Sequence, residues 1–224
     1  MSLPLAVDEA PNPWLSWSYL TDNSDAIQAA TKQHITLTVI SVALGLLLAL
    51  PLALLARRSR RLETVVVGAA GVIYTIPSLA LFAVLAPITG LTQTTVVIGL
   101  TAYTLLVLVR NVLAGLQGVP ADVVEAARGM GLGSGRLLLR VQLPLALPAI
   151  LAGVRVATVS TVALVTVGAV VSNGGLGQLI FEGFNNNFYR AEILTATLLC
   201  VLLAAVADLL LLLLERLLTP WTRR

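Results

Sequence analysis

The sequence is 224 residues long, 58% hydrophobic and only 11% charged, with a formal net charge of +3. With its strongly positive mean hydropathy, that composition lies far outside the range of a soluble domain and belongs to an integral membrane protein. The basic residues are dispersed at the ends of apolar segments, with no aromatic-interleaved patch of the kind that binds a phosphate backbone, which excludes nucleic acid as a partner.

Residues 1–31 hold Pro4, Pro11 and Pro13 and lack a basic stretch followed by a compact apolar run, so they do not read as a cleavable signal peptide. Trp14, Trp17 and Tyr19 are amphipathic aromatics suited to a membrane interface, either on a short surface helix or in a loosely ordered tail. Five apolar segments follow, at 34–56, 64–86, 92–114, 146–171 and 193–214, each near the roughly 20 residues that a bilayer-spanning helix needs. The second is interrupted by Tyr74, Pro77 and Ser78, and Pro87 with Gly90 is expected to turn tightly into the third. Arg57, Arg58, Arg60 and Arg61 follow the first span; Arg110, Arg128, Arg136 and Arg140 surround the long central loop; Arg216, Arg223 and Arg224 end the chain. The opposite faces carry only Lys32 and Arg190, so the positive-inside rule places the N-terminus outside and the C-terminus in the cytosol. The expected organisation is an extracytoplasmic segment at 1–33, a membrane domain at 34–214 with a cytoplasmic loop at 115–145, and a cytosolic tail at 215–224.

Residues 119–148 form the one long stretch that cannot lie inside a bilayer while apolar runs crowd both its sides. Pro120 suits a helix's first turn, where its missing N–H is not needed, and Asp122 and Glu125 put negative charge near that helix's positive end. A helix is expected from about residue 120 to 130, with Val123, Val124, Ala126, Ala127 and Met130 on an apolar side. Gly129, Gly131, Gly133 and Gly135 destabilise its continuation, and a second helical piece at 136–143 carries Arg136 and Arg140 on one face. Pro144 and Pro148 are expected to end that piece and redirect the chain. The residues alone read as a helix–turn–helix unit on a membrane surface.

Residues 172–191 are rich in Gly and Asn, with Phe181, Phe184, Phe188 and Tyr189 interleaved. Asn173, Gly174, Gly175 and Gly177 allow close backbone turns without supplying a phosphate-binding lysine; the segment is either an external gate and docking surface or a plain connecting loop. Two charges fall inside predicted spans, where charge is costly enough to mark a functional candidate. Arg155 and Asp208 both sit about 10 Å from the cytosolic ends of their spans at roughly 1.5 Å per residue. They either pair across neighbouring helices, or Arg155 lines an aqueous path, or the two reach separately toward the interface. One histidine, His34, provides no multi-histidine metal site, and one cysteine, Cys200, forms neither an intrachain disulfide nor a Cys-x-x-Cys site. Lys32 is the only lysine, so the chain holds no Walker A sequence and has no ATPase site of its own. His34 is read as an anchor at the outer end of the first span and Cys200 as a small packing residue.

The central loop resembles the EAA loop of ABC importer permeases: Glu125, Ala126 and Ala127, then Gly131 after three residues, then Val141, Gln142, Leu143 and Pro144 after nine, with Val141 in place of the usual Ile. The stretches 31–58, 74–82, 103–120, 152–160 and 173–180 are similar to the glycine betaine, carnitine, choline and proline branch of these permeases, so the resemblance covers nearly the whole chain. It implies an all-α integral membrane subunit with five transmembrane helices and a cytoplasmic coupling loop, in a bacterial cytoplasmic membrane. Glu125, Ala126, Ala127, Arg128, Gly131, Leu143 and Pro144 would couple it to a cytosolic ATPase dimer, which binds ATP and Mg while this chain binds no cofactor. A second permease subunit would complete the path, since one five-helix bundle offers too little room for a solute cavity and a gate. An extracytoplasmic binding protein would deliver glycine betaine, choline, carnitine or proline betaine. Tyr74, Pro77, Ser78, Asn111 and Arg155 are the candidate path residues, and Asn173, Gly174, Gly175 and Gly177 the external gate. Two alternatives stay open: the same architecture importing methionine or another amino acid, or a stand-alone channel or scaffold.

Overall fold

The computed structural model describes residues 12–172 and 174–222, and within them the chain is helical almost throughout. Ser16 caps α1 (Trp17–Asp22) by accepting from the Tyr19 N–H, and Asn23 turns the chain into α2 (Ser24–Ala56). At 33 residues, α2 is about 50 Å long; it outruns the hydrocarbon core and begins well before residue 34, where the sequence alone starts the span. Ser59 caps α3 (Arg60–Thr75) through the Leu62 N–H.

The expected second span, 64–86, is two helices, α3 and α4 (Ser78–Thr89), bent by 95° at Ile76–Pro77. Pro77 donates no hydrogen bond and holds Ile76 extended at ψ 129°, so the helix ends there. The freed Ile76 carbonyl accepts from the Tyr103 hydroxyl on α5 (Gln93–Gln117). Neither half, at 16 and 12 residues, crosses a bilayer alone. Pro87 lies within α4, and the turn into α5 starts later, at Gly90 with φ +79°.

Contacts along the chain fix the direction of each helix. Thr101 bonds the Ser41 carbonyl and Gly45 lies against Thr104, so α2 and α5 run parallel, and α3 with α4 must carry the chain back between them. The bent pair is therefore one crossing, making five with the four long helices. α3 packs beside Ala49 and Leu113 near one end, where Gln117 bonds Glu63; α4 packs Phe82 against Val96 and Gly99 toward the other.

The central loop emerges after α5 as α6 (Ala121–Gly129) and α7 (Ser134–Leu137), followed by a π turn at Leu138–Gln142 and then α8 (Leu143–Ser172). Here the expected break at Pro144 and Pro148 does not occur: Ser134–Ser172 is one continuous helical rod of 39 residues. The π turn precedes Pro144 and widens the backbone where the proline ring would crowd the preceding turn, and Pro148 lies half-buried within the uninterrupted helix. Residues 172–191, expected as a loop, contain a further helix, α9 (Leu176–Asn185), before α10 (Arg190–Leu218). Leu176, Leu179 and Gly183 bury its inner face against α2, α8 and α10.

Small residues let α2, α5 and α8 approach closely, the usual basis of helix association in lipid. A Cβ on Gly45 would lie 2.0 Å from Thr104 Oγ1, and one on Gly153 would lie 2.4 Å from Asn111 Cβ. The core between these helices gathers Val42, Ala49, Leu108, Val112, Ile150 and Ala157. Leu198, Val201, Leu202, Leu209 and Leu210 of α10 are exposed, as suits a helix facing lipid.

Candidate functional site

The protruding loop is built around Gly131. Leu132 N–H bonds the Ala127 carbonyl at 3.2 Å and Gly131 N–H bonds that of Arg128 at 2.9 Å, with Gly131 at φ +81°. This is a Schellman stop for α6, which places a left-handed residue at position 131. Among the described residues, no atom beyond Gly131 and its two chain neighbours lies within 4 Å of where a Gly131 Cβ would stand, so glycine is needed for the backbone conformation and not for space. Asp122 in the first turn and Arg128 in the last complement the helix dipole. Ala127 and Leu137 turn inward, while Glu125, Ala126, Arg128, Met130 and Gly131 are exposed, so a short helix presents an apolar patch with a charged rim. Leu143 and Pro144 are half-buried in the first turn of α8, away from that exposed face. Arg57 donates to the buried Gln142 Oε1 at 3.1 Å and ties the end of α2 to the loop's base.

Arg155 on α8 meets Asp208 on α10 in a bidentate pair, Nε to Oδ1 at 2.9 Å and Nη2 to Oδ2 at 3.0 Å. Its Nη1 also reaches Glu215 Oε2 at 3.4 Å. Asp208 and Glu215 are two turns apart on one face of α10, so the guanidinium bridges along that helix as well as between helices. Glu215 was not singled out by sequence; its spacing of seven from Asp208 is the signal that would have found it. A groove lined by Ala152, Val156, Val159 and Ser160 opens beside the pair.

The other candidate path residues fall in two further places. Tyr74 stands exposed at the α3–α4 break with its ring 5.8 Å from Tyr103, edge to face, and Pro77 and Ser78 form the start of α4. Asn111 sits in the α5–α8 seam: its amide donates to the Val107 carbonyl of its own helix at 2.8 Å, and its side chain lies against Gly153.

At the opposite end of the bundle from the loop, Gly174, Gly175 and Gly177 are all buried, and Asn173 lies outside the described residues. A Cβ on Gly177 would lie 2.3 Å from the Thr166 carbonyl, so glycine there is a condition for α9 to pack on α8. Gly175 N–H bonds Gln33 Oε1 at 3.0 Å and Leu176 N–H bonds His34 Nδ1 at 3.3 Å. Beside this turn, Tyr19 stacks edge-on to Tyr189 at 5.5 Å, and burial and the Glu192 carboxylate push its hydroxyl well above the ordinary tyrosine range, keeping it a neutral donor. Leu79, Thr166, Val170, Ile180, Phe181 and Phe184 line an apolar groove between α4, α8 and α9.

A polytopic helical protein whose protruding loop continues without a break into a membrane-length helix is an integral membrane component. Residues 41–224 match the family model described as binding-protein-dependent transport system inner membrane component, and the chain belongs to that family. It is 37% identical to the osmoprotectant import permease protein OsmW of Salmonella typhimurium, over 90% of this chain and 96% of that protein. It is 34% identical to the choline transport system permease protein OpuBB of Bacillus subtilis, over 90% of this chain and 93% of that one. Among solved structures, an inward-facing form of the MetNI methionine ABC transporter shares the fold with a TM-score of 0.81 at 21% identity, covering 88% of this chain and 98% of that one.

Proposed function

We propose that this chain is the permease subunit of an ABC importer for a small osmolyte such as glycine betaine, choline, carnitine or proline betaine. One observation carries the coupling mechanism: the second arm of the loop and the membrane helix bearing Arg155 are a single rod, Ser134–Ser172. From Ser134 to Arg155 that rod spans about 30 Å at 1.5 Å per residue, so a push that α6 passes to α7 across the Gly131 turn is carried along one continuous helix to the Arg155–Asp208–Glu215 cluster. Glu125, Ala126, Ala127, Arg128 and Gly131 dock on a cytosolic ATPase that binds ATP and Mg, and Leu143 and Pro144 lie within the transmitting rod. A second permease subunit covers the exposed valines of α8, Val156, Val159 and Val170, and the translocation path lies between the two, near Tyr74, Pro77, Ser78 and Arg155, with Asn111 seating the helices that frame it. An extracytoplasmic binding protein delivers the solute at the α9 end. Selectivity rests in that partner, where an aromatic cage would hold a quaternary ammonium by cation–π attraction.

The test is uptake by the complex reconstituted with its ATPase and binding protein, using radiolabelled glycine betaine, choline, carnitine, proline betaine and methionine. ATP-dependent uptake of a quaternary ammonium is the expected result. Uptake of methionine alone would move the substrate to the amino-acid class, and failure to capture any ATPase would remove the importer reading.

A further inference from the structure

Helix α9 begins without a cap from its own residues, because Gly175 at the cap position has no side chain to offer. Two consecutive side chains of α2 take that place from 142 residues away: Gln33 Oε1 accepts from Gly175 N–H at 3.0 Å, and His34 Nδ1 from Leu176 N–H at 3.3 Å. His34 Nε2 donates to the Val162 carbonyl on α8 at 3.0 Å, so one imidazole joins three helices. The ring is fully buried. A carbonyl on one side and an N–H on the other fix the proton on Nε2 and leave Nδ1 as an acceptor, which is the neutral ring. The turn is shaped for this contact: Gly175 holds φ +70°, and a Cβ on Gly174 would lie 2.1 Å from Gln33 Nε2.

A second proton would set Nδ1–H against Leu176 N–H and put positive charge at the positive end of a ten-residue helix. Charged groups nearby do not offset it. On α2, Lys32 is exposed; on α8, Arg155 is two turns from Val162 and committed to Asp208; on α9, Glu182 lies six residues past Leu176 and is exposed. On α10, Glu192 is held by Asn186; the single charge of α5, Arg110, lies on the loop side of Tyr103; α4 has none.

We infer that His34 is the positioning residue of α9: its neutral ring holds the start of that helix against α2 and α8, and a proton taken up at Nδ1 releases it. The attachment is present at high pH and lost as pH falls. Its consequence for transport rests on the proposed import reading, in which acid at the α9 side slows uptake by loosening the external gate.

The sequence has one histidine and one cysteine, which makes the test direct. The full chain in lipid vesicles, purified without a histidine tag and carrying Cys200→Ala and Gln178→Cys, takes a nitroxide label on α9. Between about pH 8 and about pH 5 the label is expected to pass from restrained to mobile with a one-proton titration, at the same midpoint as the 15N signals of the single histidine. His34→Gln, whose amide can accept and donate without titrating, is expected to keep the restrained spectrum throughout, and His34→Ala to be mobile at both ends. An unchanged pH response in His34→Gln, a ring that protonates without moving the label, or a label that moves while the ring stays neutral would each overturn the inference. If His34→Gln does not fold, the two midpoints in the parent chain decide: coincidence supports the latch and separation refutes it. Neither readout involves transport, so failure of the latch and failure of the import reading are distinguishable.

Discussion

Arg155 divides its donors unequally, giving two short bonds to Asp208 and one longer bond to Glu215. Bidentate geometry makes the Asp208 contact the stronger, and low dielectric makes any stranded charge expensive. Asp208→Asn is therefore expected to lower the yield of detergent-extracted complex more than Glu215→Gln does. Arg155→Gln is expected to lower it most, because it leaves two carboxylates without their cation. The double variant Arg155→Gln with Asp208→Asn should regain part of the loss, which is the non-additivity of residues in contact. Yields of the four variants and the parent measure it, and strictly additive losses would mean that the pair does not act as a unit. Had Arg155 served only to line a path, its loss would alter uptake while sparing yield.

At the scale of elements, the loop was legible because its signals are local. Pro120 and Asp122 mark a helix start, and Gly131 marks its end, since the Schellman stop draws all its bonds from residues 127–132. Prolines inside a membrane helix misled because their effect is conditional: Pro77 ends α3 where Tyr103 is placed to take the released carbonyl, whereas Pro144 follows a π turn and the rod continues. The α9 helix was hidden by glycines that allow close packing, Gly177 on α8, Gly174 on α2 and Gly183 on α10, and its cap by residues far away in the chain. The same geometry gives an ordering for substitutions at position 131. Alanine there pays roughly 1–2 kcal/mol for the left-handed conformation, while asparagine tolerates it better. Insertion is expected to stay intact, with ATP-driven uptake falling in the order Gly, Asn, Ala, and Glu125→Lys is expected to weaken ATPase docking. Normal uptake in both Gly131→Ala and Glu125→Lys would sink the coupling assignment.

For the whole molecule, the parallel run of α2 and α5 is the decisive constraint. It requires α3 and α4 to return the chain across the bilayer despite their 95° bend, so the ends of α2 and α5, and with them Arg61 and the α6–α7 loop, share one side. The antiparallel α5–α8 seam, where Gly115 meets Ala146 and Gly153 meets Asn111, then sends α9 to the other. That relative order follows from packing alone, whereas which side is cytosolic rests on the clustering of Arg57, Arg58, Arg60, Arg61, Arg128, Arg136 and Arg140 at the loop end. Reporter fusions after Arg61, after Gly133 and after Asn186 separate the two arguments. The first two are expected to score cytosolic and the third external. A reversed pattern would overturn only the charge argument, but a split between Arg61 and Gly133 would mean that α3 and α4 re-enter without crossing, and the five-crossing fold would fall with it.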